Sequence, residues 1–170
     1  MPITGLLHVA IKTEDLDATV AFYTKVIGLR LAPRPDFGFA GAWLAVPTAV
    51  GEAVIHIYAG GPALGSAGRV RPETGAIDHV SVTAVGWNAF RERFAQAGLP
   101  WREFLIPNTT YWQLFVYDPS GVQLELTFDA QGEGIPTPTV TDAARYRAGA
   151  SFFDPTCYTG LAQRLASVFR

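Results

Sequence analysis

Charged residues and cysteine are scarce in this sequence. Only 16% of its 170 residues are charged, the formal net charge is −2, and Cys157 is the single cysteine. One cysteine excludes an intrachain disulfide and is typical of the reducing cytoplasm, which is the location we predict. Because lysine and arginine form no cluster, the sequence argues against nucleic acid or an anionic membrane surface as a partner.

Long hydrophobic runs and a basic N-terminal leader are also absent. No apolar stretch approaches the roughly 18–20 residues that a membrane helix needs. The segment MPITGLLHVAIKTED carries no cleavage signature, so we expect no secretory signal. Hydrophobic residues nevertheless make up 49% of the chain, which excludes a disordered protein and predicts one compact domain or two small packed modules.

Histidine is rare too, and its three copies share one setting. His8 in GLLHVAIK, His56 in AVIHIYAG and His79 in AIDHVSVT each lie in the middle of a run that predicts a β-strand. Histidines scattered over a surface would not all fall at such positions. Each of them therefore needs a structural or a chemical explanation.

An internal repeat organises the chain, because the predicted element order β-α-β-β-β occurs twice. Three pairs of landmark residues recur at nearly constant offsets of 71, 69 and 69 residues: His8 and His79, Trp43 and Trp112, and His56 and Glu125. We therefore predict an α+β fold built from two βαβββ modules, residues 4–58 and 76–129.

The element bounds follow from hydrophobic periodicity. The predicted strands are Leu6–Lys12, Leu29–Ala32, Ala42–Val46, Ala53–Tyr58, Ile77–Val82, Trp101–Leu105, Tyr111–Tyr117 and Val122–Phe128. A Gly- and Pro-rich linker, 59–75, separates the modules, and a partly helical C-terminal extension, 130–170, follows them. The amphipathic end of this extension, GLAQRLASVFR, predicts packing on the surface or at a subunit contact.

The turn DPSG sets the register of the last two strands. It places Phe115 opposite Glu125 and Gln113 opposite Thr127. Glu125 itself stands in the apolar run VQLELTF, where an ionised carboxylate is costly unless it is paired, hydrogen-bonded or bound to a metal.

Two modules that face each other would bring four polar residues together: His8, His56, His79 and Glu125. Two imidazoles and one carboxylate form the facial triad that binds Fe(II) and leaves positions open for substrate and oxygen. The same set can hold Zn, Mn, Ni or Co. The alternative is that each histidine is a satisfied core residue and that Glu125 pairs with an arginine. Four residues on repeat-equivalent strands favour the metal site.

The segments LLHVAIKTEDLDATVAFYTKVIGLRL, IDHVSV and QLFVYDPSGVQLELTF resemble the vicinal oxygen chelate superfamily. This group includes glyoxalase I, bleomycin-resistance proteins, fosfomycin-resistance enzymes, methylmalonyl-CoA epimerase and extradiol dioxygenases. The resemblance covers residues 4–129 and implies a cupped sheet around a divalent metal, a small-molecule substrate and a homodimer. It also implies that His8, His79 and Glu125 are metal ligands, with Fe(II) as the favoured metal.

Position 56 separates the reactions that this resemblance implies. Glyoxalase I carries a glutamate there, whereas extradiol dioxygenases carry an acid/base histidine on the equivalent strand, and this chain has His56. An extradiol-type ring-cleaving dioxygenase is therefore favoured, with His56 as proton shuttle or fourth ligand. Isomerase or lyase chemistry of the glyoxalase or epimerase kind is the first alternative. The second is a metal-free binding protein of the bleomycin-resistance type, and the three histidines weigh against it.

The chain also departs from the dioxygenase pattern, which has a tyrosine where Phe115 stands. Tyr58, Tyr111 or Tyr117 would then take its place, and Tyr58, on the same strand face as His56, is the one we assign to catalysis.

Three residues are predicted to contact the substrate: Trp43, Gln113 and Phe115. In the loop DFGFAGAWL, Phe37 and Phe39 join Trp43 as candidate pocket walls, with core packing as the alternative. Three charged residues near predicted strand ends are expected to be solvated, with binding of a substrate carboxylate as the alternative: Arg34, Arg102 and Glu103.

Overall fold

The chain folds as two modules with the same order of elements, and the computed structural model describes residues 7–48, 51–72 and 74–169. The first module comprises β1 (His8–Lys12), α1 (Leu16–Ala21) continued by a π-helical turn (Phe22–Val26), β2 (Arg30–Ala32), β3 (Gly41–Thr48) and β4 (Gly51–Tyr58). The linker contains α2 (Gly61–Leu64) and a 3₁₀ turn (Gly65–Ala67). The second module comprises β5 (Val80–Thr83), α3 (Trp87–Ala97), β6 (Trp101–Leu105), β7 (Tyr111–Tyr117) and β8 (Gln123–Asp129).

The C-terminal extension adds α4 (Ala130–Glu133), a 3₁₀ turn (Pro155–Tyr158) and α5 (Leu161–Val168). The predicted βαβββ repeat is confirmed, and most strand bounds agree within two residues. β5 begins at Val80 instead of Ile77, because the Ile77 carbonyl lies in a turn and accepts a hydrogen bond from the Thr74 hydroxyl. Leu6, with which the first predicted strand begins, lies outside the described residues.

The eight strands form two four-stranded mixed sheets with the same topology. Sheet A has the order β1-β4-β3-β2, and sheet B has the order β5-β8-β7-β6. The pairs β1–β4 and β5–β8 are parallel, and the remaining pairs are antiparallel. The two modules therefore place repeat-equivalent residues at equivalent positions of the two sheets.

The predicted register of the last two strands is confirmed. Phe115 lies opposite Glu125, and Gln113 lies opposite Thr127. In the turn that joins the strands, Gly121 adopts a φ of 79°, and a Cβ there would lie 2.7 Å from the Pro72 carbonyl oxygen. The turn therefore requires glycine for both its backbone conformation and its close contact.

Side chains alternate between the two faces of each strand. One face of each sheet contributes to a common hydrophobic core with the helices; its fully buried members include Leu44, Ile57, Leu114, Leu126, Phe22 and Phe94. The opposite faces we call site face A and site face B. Site face A carries His8, Trp43, His56 and Tyr58, and site face B carries His79, Ser81, Phe115, Glu125 and Thr127.

The C-terminal helix belongs to this core as well. Leu161 and Leu165 of α5 are fully buried, and the helix packs against α1 and α3. The Tyr158 hydroxyl just before it donates a hydrogen bond of 2.6 Å to the Tyr117 carbonyl. The extension is therefore an integral part of the fold rather than a peripheral appendage. Within the described ranges, no helix is long and apolar enough to cross a membrane.

A buried hydrogen bond joins the two modules. The Tyr23 hydroxyl donates to Asp118 Oδ2 over 3.0 Å, and Asp118 Oδ1 accepts from the backbone N–H groups of Ser120 (2.8 Å) and Val122 (2.9 Å). Burial raises the pKa of Asp118 to about 6, although these donors act in the opposite direction. This carboxylate is a structural group at the junction between the modules.

Candidate metal centre

Glu125 is the buried acidic residue of site face B. Glu125 is only 6% exposed, and its Oε1 accepts hydrogen bonds of 2.6 Å from the hydroxyls of both Ser81 and Thr127. Strand pairing produces this arrangement, because Ser81 lies directly across from Glu125 on β5 and Thr127 follows two residues later on the same face. Two donors to a single oxygen stabilise the charged carboxylate and leave Oε2 directed elsewhere.

The second oxygen of Glu125 faces His79. The distance from His79 Nε2 to Glu125 Oε2 is 3.2 Å, and the other ring nitrogen, Nδ1, lies 2.7 Å from Asp78 Oδ1. This contact holds the pKa of Asp78 below its ordinary value. A carboxylate that accepts the Nδ1–H of a histidine leaves the Nε2 lone pair available for a metal, which is the usual outer-shell arrangement of metal-binding histidines.

The His79 and Glu125 side chains fit a divalent metal ion. Ligands at about 2.0–2.2 Å from one ion lie roughly 3 Å apart when they bind at right angles. The distance of 3.2 Å between Nε2 and Oε2 matches that separation. One imidazole nitrogen and one carboxylate oxygen are also the donor types that Fe, Mn, Zn, Ni and Co accept. Site face B therefore brings two of the predicted ligands to the separation that one ion requires.

Site face A is built differently, from stacked rings. The His8 and His56 rings are 4.2 Å apart between centroids at 15°, and the His56 and Trp43 rings are 4.4 Å apart at 2°. The parallel and antiparallel registers on either side of β4 align the three residues in this row. Burial lowers the pKa of His56, and the charges of His8 and Arg34 lower it further. A neutral imidazole at this position can accept a proton.

An aromatic loop continues site face A beyond Trp43. Phe37 contacts Trp43 at 6.1 Å and Phe39 at 5.9 Å between centroids, and Phe39 meets Tyr58 edge-on at 5.3 Å. Arg34 lies over both phenylalanine rings, at 5.0 and 4.9 Å from their centroids. The predicted wall residues therefore form one aromatic surface beside His56, and Phe37 is 50% exposed.

The structure brings the predicted ligands together in pairs. His79 meets Glu125 on site face B, and His8 meets His56 on site face A. Among the residues that the structure describes in one chain, no three His, Cys, Asp or Glu side chains are grouped closely enough to hold a metal ion. The exposed His8 lines a cavity of about 550 Å³ that also borders Ser81. The complete triad stays a prediction.

The remaining predicted site residues have distinct surroundings. Tyr58 is half-buried on site face A, and Gln113 is half-buried on β7 opposite Thr127. Phe115 is 1% exposed, because the Tyr146 ring stacks on it at 3.7 Å between centroids. The aromatic ring presented at that position is therefore that of Tyr146.

The expectation of a solvated Glu103 is wrong. Glu103 is 1% exposed, and its Oε1 accepts from Arg91 Nε at 2.8 Å and from Trp101 Nε1 at 2.9 Å. Arg91 belongs to α3, which packs against the sheet. Its guanidinium pairs with the buried Glu103 carboxylate and so offsets the cost of burying that charge. Arg102 is half-buried, with its guanidinium 4.6 Å from the centre of the Phe152 ring.

Four polar residues of the site were missed by sequence reasoning: Asp78, Ser81, Thr127 and Tyr146. Ser81 and Thr127 each lie two residues after a predicted ligand, so strand alternation could have found them. Asp78 directly precedes His79, and alternation alone would assign it to the other face. Tyr146 lies in the C-terminal extension, and no local pattern connects it with the site.

Comparison with known proteins supports the fold and the family. The sequence model of the Glyoxalase/Bleomycin resistance protein/Dioxygenase superfamily matches residues 5–126. The chain belongs to this superfamily. No curated protein sequence matches the chain significantly.

Solved structures of the superfamily share the architecture at low sequence identity. A fosfomycin resistance protein, FosX, from Listeria monocytogenes is 17% identical, with a TM-score of 0.58 over 75% of this chain and 94% of its own. A glyoxylase/bleomycin resistance protein/dioxygenase domain from Frankia sp. EAN1pec is 20% identical, with a TM-score of 0.55 over 75% and 99%. Lactoylglutathione lyase from Agrobacterium tumefaciens is 19% identical, with a TM-score of 0.53 over 77% and 98%. At these identities the similarity concerns the fold.

Proposed function

We propose that the protein is a divalent-metal-dependent enzyme whose small substrate chelates the metal through two oxygen atoms. The pairing of His79 Nε2 with Glu125 Oε2 at 3.2 Å carries this proposal, because both groups are held by hydrogen bonds at their far sides. Such pre-orientation is what a metal centre needs and what an ordinary surface ion pair lacks. We retain the cytoplasm as the predicted location, since the chain has one cysteine.

His8, His79 and Glu125 would hold the ion, with Fe(II) favoured and Mn, Zn, Ni or Co as alternatives. When bound, the ion would act as a Lewis acid that lowers the pKa of the substrate oxygens. The Ser81 and Thr127 hydroxyls hold Glu125 by its Oε1 atom, and the Asp78 carboxylate holds the His79 ring. The protein therefore contributes a fixed ligand geometry on site face B.

His56 would transfer protons from site face A. Its ring lies between His8, a proposed ligand, and Trp43, a proposed substrate contact. A histidine in this place suits deprotonation of a catechol hydroxyl, so we favour extradiol-type ring cleavage, in which both atoms of O2 enter the ring-fission product. Tyr58, two residues further on the same face, is the proposed second catalytic residue.

The assembly that we propose is a homodimer in which His8 comes from a second copy of the chain. Exposed His8 and the open aromatic surface around Trp43 support this arrangement, because a partner's site face B could lie against them. A two-fold axis would then create two equivalent sites, each with two ligands from one chain and the third from its partner.

Oxygen consumption tests the proposed reaction. Protein loaded with Fe(II) should take up O2 with members of a catechol panel and form a yellow ring-fission product, and Glu125→Ala should abolish both. Oxygen uptake would be followed with an electrode and product formation by absorbance.

Two other outcomes would contradict this proposal. Turnover of hemithioacetal or acyl-thioester substrates under nitrogen, without oxygen uptake on any catechol, would replace the dioxygenase with an isomerase or lyase. Protein that binds none of the five ions after purification without chelator would instead be a metal-free binding protein.

A further inference from the structure

The C-terminal extension, which lies beyond the region matched by the superfamily model, reaches the proposed metal centre. It attaches to the edge of sheet B beside β6, where the Glu103 N–H donates to the Ala144 carbonyl at 2.7 Å and the Tyr146 N–H donates to the Glu103 carbonyl at 2.9 Å. These bonds form a parallel bridge between Glu103 and Arg145. The segment is therefore held in place next to site face B.

Tyr146 extends from this segment over site face B. Its ring stacks on Phe115 with 3.7 Å between centroids and 8° between planes. Phe115 is the direct cross-strand neighbour of Glu125, and its ring also meets His79 edge-on at 5.8 Å. Only the Phe115 ring therefore separates the Tyr146 ring from the two proposed ligands, His79 and Glu125.

The Tyr146 hydroxyl bonds to the carboxylate that orients His79. It donates to Asp78 Oδ1 over 3.1 Å, the same oxygen that lies 2.7 Å from His79 Nδ1. Gln123 Nε2 approaches this oxygen at 3.3 Å and the Tyr146 hydroxyl at 3.4 Å. Burial raises the pKa of Tyr146, so its hydroxyl keeps the proton that it donates.

Asp78 needs these contacts to hold its position. Its side chain is 58% exposed and borders a cavity of about 460 Å³ between the linker and the extension. Packing therefore leaves it free to rotate, and a carboxylate that turned toward water would release the His79 ring. Hydrogen bonds from Tyr146 and Gln123 favour the rotamer that accepts from His79.

We propose that Tyr146 is a positioning residue of the metal centre, which acts through Asp78 to hold His79 with Nε2 directed at Glu125. This inference rests on the proposed metal function. It assigns the C-terminal extension a role in metal affinity in addition to its role in the core.

The test measures Zn(II) and Mn(II) affinity of the full-length protein by competition with a chromophoric chelator. Asp78→Asn should weaken affinity by about 10- to 100-fold, the usual effect of losing an outer-shell partner. Tyr146→Phe keeps the ring stack and should weaken affinity by about two- to ten-fold, as the loss of one hydrogen bond predicts. Ser151→Ala is the control. Ser151 also lies in the extension, but its hydroxyl contacts Tyr117 of β7 and not Asp78, so this variant should keep wild-type metal affinity.

The double variant distinguishes positioning from simple attachment of the extension. If Tyr146 acts through Asp78, then Asp78→Asn with Tyr146→Phe should bind metal as Asp78→Asn does alone. Additive losses, or a Tyr146→Phe variant that binds metal as tightly as wild type, would overturn the inference. Thermal unfolding of the metal-free variants identifies any loss that comes from the fold.

Nitrogen-15 spectra of the histidine rings provide a readout that needs no metal. In metal-free wild type the Nδ1–H signal of His79 should show its hydrogen bond to Asp78, and Tyr146→Phe should weaken that bond and shift the signal. An unchanged Nδ1–H signal of His79 in Tyr146→Phe would also overturn the inference. If wild type bound no metal ion, the proposed function would fail while these spectra still tested the positioning role.

Discussion

The two site faces have the same topology and opposite characters. On site face B a buried carboxylate, Glu125, is surrounded by hydroxyls and faces an oriented imidazole. On site face A the repeat-equivalent position holds His56, which lies between two rings and is only half-buried. The positions of Glu125 and His56 are 69 residues apart in the sequence and correspond in the two sheets.

The two faces differ because a carboxylate and an imidazole need different surroundings. A buried charge is costly, so site face B needs donors placed around Glu125, and these also fix the ligand geometry. An imidazole can be neutral, so site face A needs only ring surfaces around His56. Under the proposed function, site face B would orient two metal ligands, and site face A would supply the third, His8, together with the proton carrier His56.

The largest expected effect comes from mixing chains that lack different ligands. His8→Ala and Glu125→Ala should each lose metal almost completely, because each removes one of three ligands from every site. A mixture that exchanges subunits should regain about a quarter of the wild-type metal, because half of its dimers are mixed and each of these has one intact site of two. Metal content of the separated dimers, measured by mass spectrometry, checks this.

Two results would contradict the shared site. Mixed dimers without metal would mean that His8 and Glu125 act within one chain or not in one site. Single variants with full metal occupancy would mean that the ligands are wrong. Mixing two samples of Glu125→Ala is the control for recovery that does not depend on complementation.

A smaller but still large effect is expected from His56. His56→Gln should lower turnover by about 10²–10⁴, the usual contribution of a positioned proton-transfer group, while metal affinity stays as in wild type. Steady-state rates and metal competition, measured on the same preparation, check both parts. Weakened metal affinity would instead make His56 a fourth ligand and remove the contrast between the two faces.

The smallest expected effects concern the buried junction between the modules. Tyr23→Phe removes the hydrogen bond to Asp118 and should lower the free energy of unfolding at pH 7 by about 1.5–3 kcal/mol, the range for bonds to charged groups. The loss should shrink toward about 1 kcal/mol near pH 5, where Asp118 is protonated. Urea unfolding at both pH values, with chelator present, checks this, and a loss equal at both would contradict the ionised state of Asp118 at pH 7.

The pH dependence of wild type has a defined sign. The pKa of Asp118 is raised to about 6 in the fold from 3.8, so the folded state binds more protons between these values. Stability from this group therefore increases as pH falls from 7 toward 4, by up to about 3 kcal/mol. Asp118→Asn serves as the control. The free energy of unfolding is plotted against pH for wild type and for this variant, and the difference between the two curves should contain the increase from Asp118 while other titrations cancel.

Local patterns predicted much of site face B. Phe115 lies opposite Glu125 as expected, because alternation and the DPSG turn depend only on neighbouring residues. The burial of Glu103 could not be predicted in this way, because it depends on Arg91 of α3, which reaches β6 only after the helix packs. The contact between Tyr146 and Asp78 is even harder to predict from the sequence. The two residues are 68 positions apart, and no hydrophobic pattern in the extension points to the site.

Local sequence patterns were enough to predict two βαβββ modules, the strand faces of His56 and Glu125, and the turn at Gly121. These features follow from the two-residue period of strands and from backbone conformations that few residues adopt. Three features became visible only in the folded chain: Glu125 faces His79, Asp78 contacts the other nitrogen of this histidine, and α5 joins the core. Such contacts depend on how elements far apart in the chain pack, because burial and hydrogen bonding are satisfied over the whole fold and not within one segment.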